Sequence, residues 1–328
     1  RVDVIWQMIK DDQFRDNPPN PGFVEGMQPY HRLLPHYTAD RPEILEVVAG
    51  LRRVVDEFDD RVLIGEIYLP IERLVAYYGP NLEGTHLPFN FQLILSAWEA
   101  STVAALIHEY EAALPEGGWP NWVLGNHDKS RIATRVGLAQ ARVAAMLLLT
   151  LRGTPTLYYG DEIGMTDVKV PPERLQDPVE RRLPGLGQGR DPERTPMQWT
   201  GGPNAGFTSG EPWLPIAPDA AAVNVEAQRD DPRSMLTLHR RLILLRRSEP
   251  ALSTGGYHEV RSERGVLAYV RGEGERRFLV ALNLSHEAHV LALPAEGRIR
   301  LTTSLEREGE AVRGRLALAP EEGVIVEL

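Results

Sequence analysis

From its first residue to about residue 160, the chain alternates short apolar runs with longer amphipathic stretches, about five times over. The short runs are RVDVI, RVLIGEI, LPFNFQL, WPNWVLGNHD and TPTLYYG. Between them lie PEILEVVAGLRRVVDEFDD, IERLVAYYG, STVAALIHEYEAAL and AQARVAAMLLLTLRG. In the first of these stretches Ile44, Leu45, Val48, Leu51, Val54, Val55 and Phe58 recur at helical spacing. Gly79 and Pro80 stop the second, Ser101 is a candidate N-cap for the third, and the fourth is so apolar that it reads as a buried helix. Strands alternating with helices predict a parallel sheet with helices packed outside it. Five such units do not close a barrel, whereas eight do, in about 250 residues. The expectation is an α/β chain. Residues 1–250 form the C-terminal part of a (β/α)8 TIM barrel, about strands 4–8, whose first part would lie upstream.

Residues 161–230 are rich in Pro, Gly and charge, and a loop that long is usually functional. SMLTLHRRLILLRR follows as a helix, its basic residues read as a solvated face. From about residue 255 the period changes. YHEV, VLAYVRG, RRFLVALNLS, HVLAL, RIRLTTSL and GVIVEL are short alternating runs separated by turn residues. Residues 251–328 are therefore expected to form an all-β antiparallel sandwich domain.

Composition narrows the function classes. A net charge of −10 argues against an extended nucleic-acid or anionic-membrane surface. No uninterrupted apolar run reaches the roughly 18 residues of a membrane span. There are no cysteines, which removes disulfides, thiolate metal sites and a thiol nucleophile, and suits a reducing, cytoplasmic compartment. Neither a metal nor a cofactor is expected.

Three acids share one kind of place. Asp3 lies in RVDVI, Glu66 ends VLIGE, and Asp128 follows WVLGNH, each at or just past the end of an apolar strand. In a parallel barrel those strand ends converge on the face where active sites are built. Successive acids are roughly sixty residues apart, two βα units, which would set all three around a single mouth. A lone strand-end acid is ordinarily a helix cap or an ion-pair member. Three, with Arg1 before Asp3 and His127 beside Asp128, point to catalysis. Carboxylates without a Ser/His/Asp arrangement or a metal-ligand cluster suggest chemistry on a glycosidic bond.

These residues sit in motifs that resemble the α-amylase superfamily, glycoside hydrolase family 13, in its α-glucosidase and oligo-1,6-glucosidase branch. RVDV is similar to the end of that family's second motif, IGEIYLP to its third and LGNHDKSR to its fourth. GTPTLYYGDEIGM and RDPERTPMQW resemble further signatures of the branch. The resemblance implies a retaining α-glucosidase that releases terminal α-1,4- or α-1,6-linked glucose from small oligosaccharides through a covalent glucosyl-Asp intermediate. It implies Asp3 as nucleophile, Glu66 as general acid and then base, and Asp128 as the acid that holds ring hydroxyls. Arg1 would keep Asp3 ionised, His127 would bind a sugar hydroxyl, and Arg194 would close the glucose pocket or serve as a structural ion pair. Val4, directly after the nucleophile, would accompany activity on α-1,6 bonds. A retaining pair stands about 5–5.5 Å apart, and its acid needs a raised pKa. Phe89, Phe91, Trp199 and Phe207 could stack on sugar faces, although such rings are more often core.

The same resemblance places the family's first motif and first three barrel strands upstream of Arg1. RVDV is then the tail of the fourth strand, and the chain alone, without the N-terminal half of its barrel, is expected to be inactive. Two other readings stay open. A transglycosylase or isomerase would use the same acids and pass glucose to a sugar acceptor. A non-catalytic α-glucosidase-like ectodomain of an amino-acid transporter, or an inactive truncated product, would not be an enzyme.

Overall fold

The computed structural model describes residues 1–27, 29–185, 187–274 and 276–328. In chain order its first elements are helix α1 (Ile44–Val55), strand β1 (Ile64–Ile67), the short helix α2 (Ile71–Leu74), strand β2 (Leu87–Asn90) and the short helix α3 (Gln92–Leu95). Then come α4 (Ala100–Ala113), β3 (Asn121–Val123), α5 (Ile132–Thr150), β4 (Thr154–Thr156), α6 (Pro178–Arg182), α7 (Val225–Arg229), α8 (Met235–Ser248) and α9 (Pro250–Ser253). The remainder is strand: β5 (Tyr257–Glu263), β6 (Val266–Glu273), β7 (Arg276–Asn283), β8 (His289–Ala292), β9 (Gly297–Thr302), β10 (Ala311–Val312), β11 (Arg315–Leu318) and β12 (Gly323–Glu327).

Two compact units divide this chain. One holds Arg1–Gln92 and Glu109–Trp122, the other Leu93–His108 and Val123–Leu328. The division expected between residues 250 and 251 falls inside the second unit. The reason is that α5 packs against β7 and β12 of the C-terminal strands.

In the first unit, β1 and β2 pair in parallel, with Glu66 opposite Phe89. On the other side of β1, Val2 bridges Gly65, also in parallel. Only Val2 of RVDVI joins the sheet. The run was read as a strand because valine and isoleucine favour one, but Val4 adopts φ 38° and turns the chain into a 3-10 turn over Ile5–Gln7. That turn drops Ile5 into the core, against the bare face of Gly65, where a Cβ would lie 3.1 Å from the Ile5 side chain. α1 buries Ile44 and Val48, with Glu46 in its first turn and Arg52 and Arg53 in its last, the arrangement its dipole favours.

In the second unit, α5 has the length and mean hydropathy of a membrane span. Its stretch from Ala141 to Thr150 is buried apart from Arg142, so its apolar surface is already covered by protein. α4 starts at Ala100, one residue ahead of the Ser101 expected to cap it. Ser234 does cap α8, its side chain accepting from the Thr237 amide at 3.0 Å. The C-terminal strands make a six-stranded sheet in the order β10-β9-β12-β7-β6-β5 and a two-stranded sheet of β11 and β8. Val266, Ala268, Val270, Leu279, Leu316, Leu318, Val324 and Val326 share one core. β6 is buried on both faces, because Tyr269 meets the Thr150 hydroxyl of α5 at 2.6 Å and Arg271 donates to the Thr150 carbonyl. That double burial is why VLAYV reads as a continuous apolar run rather than an alternating one.

Candidate active site

Arg1, Asp3 and Glu66 come together in the first unit. The end of β1 delivers Glu66 inward, its side chain 3% exposed, whereas the turn after Val2 leaves Asp3 72% exposed. Arg1 Nη2 donates to Glu66 Oε2 at 2.6 Å and lies 3.1 Å from Asp3 Oδ1, so one guanidinium nitrogen serves both carboxylates. The Val4 amide also donates to Glu66 Oε2, at 3.2 Å. Burial raises the Glu66 pKa, and the hydrogen-bonded carboxyl of Asp3 raises it further, against the Val4 amide and the Arg1 charge. A β-branched residue with positive φ is a backbone outlier that persists only where its surroundings fix it. Here the Glu66 carboxylate and the buried Ile5 fix Val4.

His127, Asp128 and Arg194 come together in the second unit. Asp128 lies in the polar turn after β3, where its amide donates to Asn126 Oδ1 at 3.0 Å. Its Oδ1 accepts from Arg194 Nη2 at 2.8 Å and from Arg190 Nη1 at 3.1 Å. His127 Nε2 stands 3.6 Å from Oδ2. Arg194 Nε also donates to the His127 carbonyl at 2.6 Å, so Arg194 ties the long loop to the turn that carries Asp128. Tyr158 and Tyr159 anchor the same loop, their hydroxyls donating to the carbonyls of Glu193 and Thr195. Burial pushes the Glu193 carboxyl up to about 7.

Arg190 and Asp177 were not singled out from the sequence. Arg190 is the first residue of RDPERTPMQW, and its place in that motif was the available signal. Asp177 stands in an irregular segment with no periodicity to mark it. Among the aromatic candidates, Phe91 is core and stacks on Tyr68 with ring centroids 4.3 Å apart. Phe89 is half-buried, and Trp199 and Phe207 are exposed.

Parallel strands that carry an acid at a strand end, followed by an antiparallel sheet domain, are the arrangement expected of part of an α-amylase-type barrel. The model of the alpha-amylase catalytic domain matches residues 1–255, and the chain belongs to that family, of which it carries a C-terminal part of the barrel. It is 34% identical over 315 residues to Maltase A1 of Drosophila melanogaster, covering 89% of this chain and 54% of that protein. It is 33% identical to the amino acid transporter heavy chain SLC3A1 of Homo sapiens, covering 91% of this chain and 45% of that one. The chain thus spans about half the length of the curated relatives it matches. Among solved structures, the alpha-glucosyl transfer enzyme XgtA superposes with a TM-score of 0.89 at 33% identity, over 100% of this chain and 63% of that one.

Proposed function

We propose that the protein is a retaining α-glucosidase acting on small α-glucosides, with Asp3, Glu66 and Asp128 as its acids. The observation that carries this reading is the pair of carboxylates on Arg1. One is exposed beside a guanidinium. The other is buried with a raised pKa, and carboxylates whose surroundings separate them in this way divide into nucleophile and acid.

In the first step Glu66 gives its proton to the glycosidic oxygen, the bond from that oxygen to C1 breaks, and an Asp3 oxygen bonds C1 to form a glucosyl ester. In the second step Glu66, now a carboxylate, takes a proton from water. The water oxygen bonds C1, the ester C1–O bond breaks, and the Asp3 carboxylate is restored with the starting configuration at C1. Arg1 pairs with the Asp3 carboxylate between turnovers. Asp128 binds ring hydroxyls, His127 adds a hydroxyl contact, and Arg194 holds the loop over the sugar. Val4 favours activity on α-1,6 bonds. Activity needs the barrel strands that precede these in the family, so it belongs to the protein extended upstream of Arg1.

The resemblance to a glucosyl transfer enzyme supports a second reading, in which a sugar hydroxyl takes the place of water in the second step. The test expresses the upstream coding region with this chain and measures glucose release from maltose and isomaltose, with Asp3→Asn as control. Free glucose that the control loses is the expected result. New oligosaccharides in place of glucose move the activity to transfer. Finding neither product from a folded protein would overturn the enzymatic reading and leave a non-catalytic role, with the likeness to an amino acid transporter heavy chain as its support.

A further inference from the structure

Among the described residues, Asp128 accepts hydrogen bonds from side chains at one carboxylate oxygen only. Arg190 and Arg194 both donate to Oδ1. Oδ2 has His127 Nε2 at 3.6 Å, beyond hydrogen-bonding distance. The carboxylate is therefore clamped in one orientation, with one oxygen occupied and the other presented.

What aims Arg190 is a second acid. The Asp177 side chain is fully buried. Its Oδ2 accepts from Arg190 Nε at 2.6 Å and from the Arg190 amide at 2.9 Å, and its Oδ1 accepts from Arg190 Nη2 at 3.3 Å and from the Val179 amide at 2.9 Å. Burial alone would raise this carboxyl, but the Arg190 side chain and the two amides outweigh it and bring it down to about 2. Asp177 is itself fixed, because its amide and that of Gln176 both donate to Asp191 Oδ2, at 2.9 and 2.6 Å. Nε and Nη2 of Arg190 are committed to Asp177, which leaves Nη1 directed at Asp128. A planar guanidinium held on one side by a carboxylate has little freedom left on the other.

We propose that Asp177 is a positioning residue for the reaction, fixing the rotation of the Asp128 carboxylate through Arg190 so that Oδ2 meets the sugar. This rests on the reading of Asp128 given above. Without the Asp177 charge, Arg190 is released and Asp128 turns about Arg194 alone. Binding of the ground-state sugar changes little, whereas the transition state loses a well-placed acceptor.

The test is a double-mutant cycle on the protein carrying its upstream region. Asp177→Asn is expected to lower kcat about 100-fold, the loss typical of a misplacement near 1 Å, with KM within about threefold. Asp177→Asn combined with Asp128→Asn is expected to be no more than about threefold worse than Asp128→Asn alone, because both variants remove the same interaction. Glu180→Gln is the loop control. Glu180 accepts from the amides of Gly185, Gln188 and Gly189 in the same segment and touches none of the acids, so its kcat should stay within about twofold of the parent. If Asp177→Asn strips Arg190 of its buried carboxylate partner and the variant does not fold, Asp177→Asn with Arg190→Gln removes both members of that pair together, and is expected to fold with the same lowered kcat and the same non-additivity.

Losses that multiply in the cycle, a folded Asp177 variant with parental kcat, or a Glu180→Gln loss equal to that of Asp177→Asn would each overturn the proposal. Undiminished activity in Asp128→Asn would overturn the functional reading and the inference together.

Discussion

Arg1 Nη2 lies 2.6 Å from Glu66 Oε2, and the same atom lies 3.1 Å from Asp3 Oδ1. One cation thus acts on both carboxylates of the proposed reaction. It opposes the burial that raises the Glu66 pKa while neutralising its neighbour. In Arg1→Gln, Glu66 loses that opposition and its pKa rises further. The general acid works in its protonated form, so the alkaline limb of the kcat/KM profile is expected to move to higher pH. The maximal rate is expected to fall about 100-fold, the scale of losing one preorganised electrostatic donor. The pH–rate profile of the parent and variant checks both. An alkaline limb that stays in place would remove Arg1 from control of Glu66.

Arg246 contradicts the reading of the basic helix as a wholly solvated face. Its Nη1 donates to the carbonyls of Leu149 and Leu151 at 3.0 and 2.9 Å, and Nη2 to that of Gly153 at 2.5 Å. These carbonyls belong to the end of α5 and the turn beyond it, where helix carbonyls have no partner of their own. Arg246→Ala is expected to destabilise the second unit by about 2–4 kcal/mol, since several buried acceptors are orphaned at once. Arg240→Ala, which removes a bond to the Arg229 carbonyl at an exposed site, is expected to stay within about 0.5 kcal/mol. Denaturant unfolding of the two variants makes the comparison.

What the sequence revealed and what it hid follow from the range of the interactions involved. Glu66 and Asp128 were legible as candidates because each follows a run whose apolar residues mark a strand, and Asp3 because RVDVI reads as a strand although only Val2 joins the sheet. Arg1 and His127 were legible as their chain neighbours. The αL turn at Val4 was not, because its local preference is extended and only a carboxylate 62 residues away and the docking of Ile5 reverse it. The Asp177–Arg190 pair was hidden for a similar reason. It closes a loop whose path follows no period, so no spacing rule links position 177 to position 190. β10 and β11 were missed because AVRGRLALAP is broken by a turn at Gly314, with φ 66°, into pieces of two and four residues.

His239 gives the second unit a defined acid sensitivity. It is buried in α8, with Nδ1 3.1 Å from the Met235 carbonyl, and burial pushes its pKa down to about 4, helped by the nearby Arg142 charge. The unfolded chain binds its proton near 6.5. Between those values the unfolded state holds more protons than the folded one, so stability is full above 6.5 and is lost as pH falls toward 4. The loss is expected to be on the order of 1–3 kcal/mol. In His239→Gln that component of the pH dependence should vanish, which thermal unfolding from pH 4 to 7.5 measures. An unchanged pH slope in the variant would assign the acid sensitivity to other groups.

Gly125 precedes Asn126, His127 and Asp128, and the reason for a glycine there lies across the fold. A Cβ at this position would stand 2.9 Å from Asp161 Oδ2 and 3.5 Å from the Tyr158 side chain. Asp161 is buried, and that burial pushes its carboxyl up to about 7, with the Arg131 charge opposing. The buried Asp161 side chain is expected to resist displacement, so that the contact is relieved by a shift of the turn that carries Asp128. Gly125→Ala is expected to cost about 1–3 kcal/mol of stability, the range for a methyl forced into a packed interior. It should also lower kcat, because the turn moves with it. If Asp161 is the obstacle, Asp161→Ala opens the space and the double variant is less destabilised than the two single losses added together. Additive losses in denaturant unfolding would show instead that the methyl is resisted by the backbone of the turn itself.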